Sequence, residues 1–426
     1  MKKFLALLLA VLMLGSILVA CGGNDNKGGS SSSGGSGGSS DDGDPFHGED
    51  NIKLLVWAAD KAIDVTKELC DEFKAKYPDK KIDITVQVQG EGDAAAQVLN
   101  DPEAAADVFS FACDQLTRLM NRETLAPVFE KDDVVARNSE ASVAAATVGD
   151  ELYAFPETGD NGYYLVYDKS VVSDEDAKTL EGIFEACRKA GRKFVLDAGN
   201  GFFACLFPFT GGLSLEGIDE DGTQKFNDYD EEKIVDTLVA FSKLFHDYSD
   251  IFLSSEATKI STGMAANPRI VAAGVDGSWN AAAVADALGD DFGAAKLPTI
   301  NVNGTDEQIV SMHGYKLIGV NNSSKFPEAS QLLADFLTDE EAQLKRAEVL
   351  SWGPSNTNAV KDKAVTDNVA LSAILDQSQY SVPQVNITDT FWSPMGTLGN
   401  DLWKKDQNRD QLKAEFEKTI ANIKDE

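Results

Sequence analysis

Apolar and polar positions along this chain change period in a regular order. IKLLVWAAD (52–60) is a short strand-like run, after which Ile63, Leu69, Cys70, Phe73 and Tyr77 recur at helical spacing until Pro78. KIDITVQVQ (81–89) alternates β-branched and polar residues and predicts a second strand. Strand, helix and strand in that order make a βαβ unit on a parallel sheet. The same order continues with ADVFSFA (106–112) as a strand, DQLTRLM opening a helix, and KFVLDAG (193–199) starting a comparable series. In 230–248, Ile234, Leu238, Phe241 and Phe245 with Val235, Val239 and Tyr248 form the apolar face of a helix. Thr338 and Glu341 stand at capping-box spacing, and 218–226 reads as a hairpin turning on Asp221-Gly222. The fold class is α/β, without an internal repeat.

The first segment breaks this grammar. Lys2 and Lys3 precede the almost wholly apolar Phe4–Ala20, the layout of a secretory signal peptide (1–20) and short for a membrane span. Leu18-Val19-Ala20-Cys21 resembles the lipobox of bacterial lipoproteins, which implies cleavage before Cys21 and a lipid on its thiol. Residues 21–48 follow as a Gly/Ser-rich tether with an end-to-end distance of roughly 30 Å. The expected location is extracytoplasmic, on the outer face of the cell membrane and attached to it by lipid only. From Glu49 onward the chain is long enough for two lobes, and 43% hydrophobic content can supply both cores.

Charge narrows the partners. A net charge of −32, from 38 basic and 70 acidic residues, excludes nucleic acid and anionic membrane surfaces, which are bound through clustered Lys and Arg. Cys70, Cys113, Cys187 and Cys205 contain no Cys-x-x-Cys pair and read as buried free thiols. The histidines are His47 in the tether, His246 on the amphipathic helix and His313 at an expected hinge. Neither a zinc-protease, a nucleophile-elbow nor a Walker motif is present, so no metal, no cofactor and no enzyme activity are expected. GEGDAA (90–95) approaches a dinucleotide fingerprint, but Glu91 and Asp93 would repel the pyrophosphate, and Asp93 reads as a helix cap. A pair of carboxylates could still serve a glycosidase, so a surface glycan hydrolase stands as the alternative, beside a sensory or adhesive lipoprotein without a permease.

What remains is a set of aromatic residues beside short polar ones after predicted strands: SFACDQ (110–115), GNGFF (199–203), DGSWN (276–280), SWGPSN (351–356) with Trp352, and TDTFWSP (388–394). Ligands of open α/β sheets lie beyond the carboxyl ends of strands. Flat aromatic faces cover the apolar face of a sugar while amides and acids bond its hydroxyls, so this mixture suits a neutral polyol. Trp57, inside a Leu- and Val-rich strand, reads as a core residue.

These segments together resemble the extracellular solute-binding proteins of ABC importers, of the maltose/maltodextrin-binding type, over nearly all of the chain from Ile52. VWAADK looks like the family's first strand and sugar-facing turn, which implies Asp60 and Lys61 as ligand-binding residues. ADVFSFACDQ is similar to the segment carrying an aromatic stacker and an acid, implying Phe111 and Asp114, with Gln115 where maltose binders have arginine. YAFPETGDNGYYLVYDK looks like the first inter-lobe crossing and implies Asp160 or Asn161. Asn200 and Phe202, Trp279, and Trp392 fall on three further sugar-binding segments, with Ser393 and Gly396 replacing a tyrosine and an arginine. The resemblance implies two α/β lobes, 49–160 with 310–345 and 161–309 with 346–426, joined by three crossings and closing by a hinge on a central cleft. It implies a monomer that captures malto-oligosaccharides or related sugars and delivers them to an ABC transporter permease.

Overall fold

The computed structural model describes residues 44–424 except 220 and 257. Signal peptide, Cys21 and most of the tether lie outside the described residues. Strand β1 (Ile52–Ala58) runs into helix α1 (Ile63–Lys76), and β2 (Ile82–Val88) returns parallel to β1, with Ile52 opposite Ile82 and Ala58 opposite Val88. Helix α2 (Ala94–Asn100) then leads to β3 (Val108–Ala112), which pairs parallel on the other side of β1, and a 3-10 turn at Cys113–Gln115 opens helix α3 (Leu116–Met120). The βαβ reading thus describes this half of the sheet.

Two long strands join the halves. Phe155–Asp168 pairs through its first part with Ser311–Val320, and through its second part with Val271–Gly277 and Phe292–Ala295. Ser311–Val320 pairs antiparallel with β3 on its other edge. The result is one ten-stranded sheet, with eight strands in the order Phe252–Ser254, Lys193–Leu196, Val271–Gly277, Phe155–Asp168, Ser311–Val320, β3, β1, β2, and with Phe292–Ala295 on Phe155–Asp168 and Ser381–Pro383 on Ser311–Val320 off this path. Because Phe155–Asp168 changes partners midway, Gly159–Gly162 lies where one half of the sheet gives way to the other.

Packing follows the same division. One core gathers residues from Phe46 to Phe155 and from Leu317 to Trp352; a second gathers Tyr163 to Met312 and Val382 to Ile423. A smaller third cluster packs Tyr164 and Val166 against Ile260, Leu371 and Ile374. Helix Glu231–Asp247 buries Ile234, Leu238, Phe241 and Phe245, as its periodicity requires, and its N-cap Asp230 accepts from the amides of Glu232 and Lys233. Each such fully buried side chain contributes about 1.5–3 kcal/mol by leaving water.

Two local expectations fail. Helix Glu340–Leu350 is capped by Asp339, whose side chain accepts from the amide of Ala342, while the Thr338 hydroxyl bonds back to Ala334 and no capping box forms. Asp93 occupies the N-cap of α2 but makes no capping bond; Gln115 accepts the Ala95 amide at 2.9 Å in its place. The expected hairpin is present as Leu215–Ile218 against Gln224–Phe226. Cys70, Cys113, Cys187 and Cys205 are all buried and free, and burial pushes their thiols up. None of the described helices is long and apolar enough to cross a membrane.

Candidate functional site

Loops at strand ends converge between the two larger cores. Asn200 caps the short helix Gly201–Ala204, its Oδ1 accepting the Phe202 amide at 3.0 Å, and so sets the Phe202 ring at the start of that helix. Trp279 stands in the 3-10 turn after strand Val271–Gly277, and its indole folds back over Gly277, where a Cβ would come within 2.2 Å of the ring. The three rings Phe202, Phe203 and Trp279 lie 5.6 to 6.3 Å apart in tilted and edge contacts. Trp392 opens helix Trp392–Lys404, which seats against the Ala198–Phe202 segment with almost no side-chain spacing. A Cβ on Gly201 would meet the Trp392 carbonyl oxygen at 2.2 Å, and one on Gly396 would meet the Gly199 oxygen at 2.4 Å. Gly396, which stands where the resemblance has an arginine, is therefore a packing glycine that brings Trp392 beside Asn200.

A polar wall accompanies these rings. Gln384 links it, accepting from Asn161 Nδ2 at 2.7 Å and donating to Asp114 Oδ1 at 3.0 Å. Burial pushes the Asp114 carboxyl up to about 7, with the Asp389 charge adding to the rise and the Gln384 bond opposing it. Lys316, only 2% exposed, holds its ammonium 3.4 Å from Glu91 and 3.4 Å from the centre of the Trp352 ring. Asp114, Asn161, Asn200, Phe202, Trp279 and Trp392, with Glu91, Gly92, Ala112, Phe203, Lys316 and Gln384, line a cavity of about 400 Å³. It combines aromatic faces with amide and carboxyl groups and lies within the size range of small-ligand sites.

The other sequence-predicted residues lie elsewhere. Phe111 is 0% exposed and packs on Phe109 in the core, so it offers no face to a ligand; the period of the strand gives the cavity to Ala112 instead. Trp352, 1% exposed, sits beneath Lys316 and supports that ammonium rather than walling the cavity. Gln115 spends its amide locally, accepting from Ala95 and donating to the Glu91 carbonyl at 2.5 Å. Asp60 and Lys61 are exposed in the turn after β1, where Lys61 Nζ donates to Asn280 Oδ1 and ties that turn to the one carrying Trp279. His246 meets the Lys405 carbonyl, and His313, on the crossing strand, meets the Gly159 carbonyl at 3.1 Å.

Sequence reasoning missed Lys316 and Gln384. A lone lysine inside the apolar run Tyr315–Val320 is a signal that could have exposed the first; nothing near Gln384 marks it out.

A buried polar group lies close to the change of partners, where Asp276 pairs with Tyr164. Asp276, 1% exposed, accepts from the Gly277 amide at 2.8 Å and from Asn280 Nδ2 at 3.0 Å, while its Oδ2 has no hydrogen-bond partner among the described residues. Burial pushes its carboxyl up to about 7; Asn280, Gly277 and the charge of Lys61 pull the other way. Among the described residues no group of three His, Cys, Asp or Glu side chains is placed to hold a metal ion.

Two cores joined by crossing strands, with a ligand-sized cavity at their junction, define a two-lobed binding protein. The chain belongs to the family described as bacterial extracellular solute-binding protein, whose model matches residues 68–373. It is 24% identical over 360 residues, 80% of this chain and 82% of the relative, to the galactooligosaccharide-binding protein of Bacillus subtilis (strain 168). Among solved structures it is similar to one determined with acarbose, at 26% identity and a TM-score of 0.78, covering 88% of this chain and 98% of that one. It shares the fold of the maltodextrin-binding protein MalE1 from L. casei BL23, solved without ligand, at 24% identity and a TM-score of 0.72 over 87% and 98% of the two chains.

Proposed function

We propose that the protein captures a neutral oligosaccharide, of the malto- or galacto-oligosaccharide kind, and hands it unchanged to the permease of an ABC importer. The observation that carries this reading is that Phe202, Trp279 and Trp392 line one cavity together with Asp114, Asn161 and Gln384. A pyranose ring has an apolar face for the first set and hydroxyls for the second, and a hydroxyl that finds no partner on burial costs about 1–3 kcal/mol, which gives selectivity. The galactooligosaccharide-binding relative and the structure with acarbose support the ligand class. Asp60 and Lys61 belong to this site as closing residues on the Trp279 turn. The two lobes are 49–160 with 310–345 and 161–309 with 346–426, and Cys21 carries the lipid that keeps the protein at the membrane.

Titration calorimetry of the purified protein with maltose, maltotriose and the galacto-oligosaccharides tests the ligand class, with recovery of the intact sugar after long incubation as a second readout. Saturable binding with the sugar returned whole is the expected result. Absence of heat with either series refutes the ligand class, and cleavage products would make the protein a hydrolase.

A further inference from the structure

A relay of three side chains joins the turn after β1 to the turn after Val271–Gly277, and it ends on a buried acid. Lys61 Nζ donates to Asn280 Oδ1, and Asn280 Nδ2 donates to Asp276 Oδ1 at 3.0 Å. The Gly277 amide gives that oxygen a second bond at 2.8 Å, and Oδ2 has none among the described residues. Asn280 is buried with Asp276, whereas Lys61 is exposed. β1 packs in the first core and Val275, beside Asp276, in the second, so the relay crosses the junction that holds the cavity. Trp279, next to Asn280, lines that cavity.

We propose that Lys61, Asn280 and Asp276 form a latch between the lobes that a proton on Asp276 releases, so that the protein holds its ligand more tightly in mildly alkaline than in mildly acidic medium. The inference rests on the sugar-binding reading for its ligand and on the relay for its mechanism. Asn280 reads the charge. A carboxylate only accepts, so it keeps the Nδ2 edge of Asn280 toward itself and leaves Oδ1 to the lysine. A protonated carboxyl also donates, and the amide is then free to turn over and present its own N–H groups to Lys61, which has donors only. Asp276 and Asn280 are thus positioning residues that act through Lys61. The other titratable groups around them are Tyr164, opposite Asp276 in the sheet with an unpartnered hydroxyl among the described residues, and Asp160 on the same strand, whose carbonyl accepts from Ser278 Oγ at 2.8 Å. His313 on the crossing strand feels Asp160, the charges of Asp60 and Lys316 reach Lys61, and Asp197, past Lys193–Leu196, has Glu256 as its charged neighbour. Burial raises the Asp276 carboxyl to about 7, and the charge of Lys61 pulls it down. Opening the latch removes that pull, so the open form takes its proton at a higher pH than the latched form. Latching therefore releases a proton: its contribution is complete above the open-form value and is lost as pH falls through about 7.

The test is a pH profile of affinity. Calorimetry of the purified protein with maltotriose and with galacto-oligosaccharides is run from about pH 6 to about pH 8.5 and repeated on Asp276→Asn and Asn280→Ala. Wild-type affinity should rise about threefold across this interval relative to both variants, the effect of displacing one carboxyl titration by about half a pH unit. Asp114, which titrates near 7 inside the cavity, is present in all three proteins, so the difference between profiles belongs to the latch. A wild-type profile no steeper than that of either variant overturns it. If no sugar binds at any pH, the sugar-binding reading fails by itself, and small-angle scattering of the free protein decides the latch. A radius of gyration smaller at the alkaline end in the wild type and constant in Asp276→Asn sustains it; equal wild-type radii, or a change shared by the variant, overturn it.

Discussion

Replacing Asp276 by asparagine removes a carboxyl that the fold keeps 1% exposed while leaving an acceptor for the Gly277 amide and for Asn280. In the native protein that carboxyl titrates at about 7, against an ordinary value of 3.8, chiefly because burial disfavours its charge. Between those two pH values the folded chain holds a proton that the unfolded chain has released. Stability contributed by this group therefore falls as pH rises from about 4 to about 7 and is constant above. From pH 5.5 to pH 8 the native protein crosses about 1.5 units of that range, which at 1.36 kcal/mol per unit is about 2 kcal/mol. The variant cannot ionise there, so it should gain about 2 kcal/mol on the wild type between pH 5.5 and pH 8 and be the more stable protein at the upper end. Urea unfolding followed by tryptophan fluorescence at four pH values across this interval measures the difference. Asp114, which also titrates at about 7, contributes its own slope to both proteins and cancels in the comparison. A gap that is constant with pH, or that closes as pH rises, would mean that Lys61 and the two hydrogen bonds hold the carboxylate charged in the fold and that burial does not govern this residue.

Further outcomes follow from the cavity. Lys316→Met should destabilise the protein by about 3 kcal/mol, because it leaves Glu91 without its buried partner and strips the ammonium from Trp352; adding Glu91→Gln should restore most of the loss in the same urea assay. Trp279→Ala or Trp392→Ala should weaken oligosaccharide binding by about 30-fold, near 2 kcal/mol, with unfolding still cooperative, as read by calorimetry and urea titration. Phe111→Leu should cost about 1–2 kcal/mol of stability and leave sugar affinity unchanged, since the ring is wholly in the core; a lost affinity would restore it to the site. Cys21→Ala should release the protein from the membrane fraction into the medium, and retention would remove the lipid anchor.

The α/β class, the βαβ opening and the long amphipathic helix are legible in the sequence because each depends on a local period: two for β2, 3.6 for α1 and for Glu231–Asp247. Three of the candidates that line the cavity are legible for a related reason. Asn200, Trp279 and Trp392 stand just after strand ends or at helix starts, and such positions face the cleft whatever the loop's detailed path. Phe111 and Ala112 mark the limit of that legibility. Both end the same strand, and only the covering of both faces of β3 by neighbouring elements decides that the phenylalanine is core and the alanine is cleft.

Tertiary structure alone decides the polar wall. Lys316 comes from a crossing strand, Glu91 from the loop after β2 and Gln384 from a segment almost three hundred residues further on, and no spacing along the chain records that they meet. The same is true of Gly396, whose role is visible only against the backbone of Gly199. Sequence determines each element because helix and strand are selected by neighbours a few residues away; it leaves the cavity undetermined because contacts between distant segments depend on how the two cores pack around strands that belong to both.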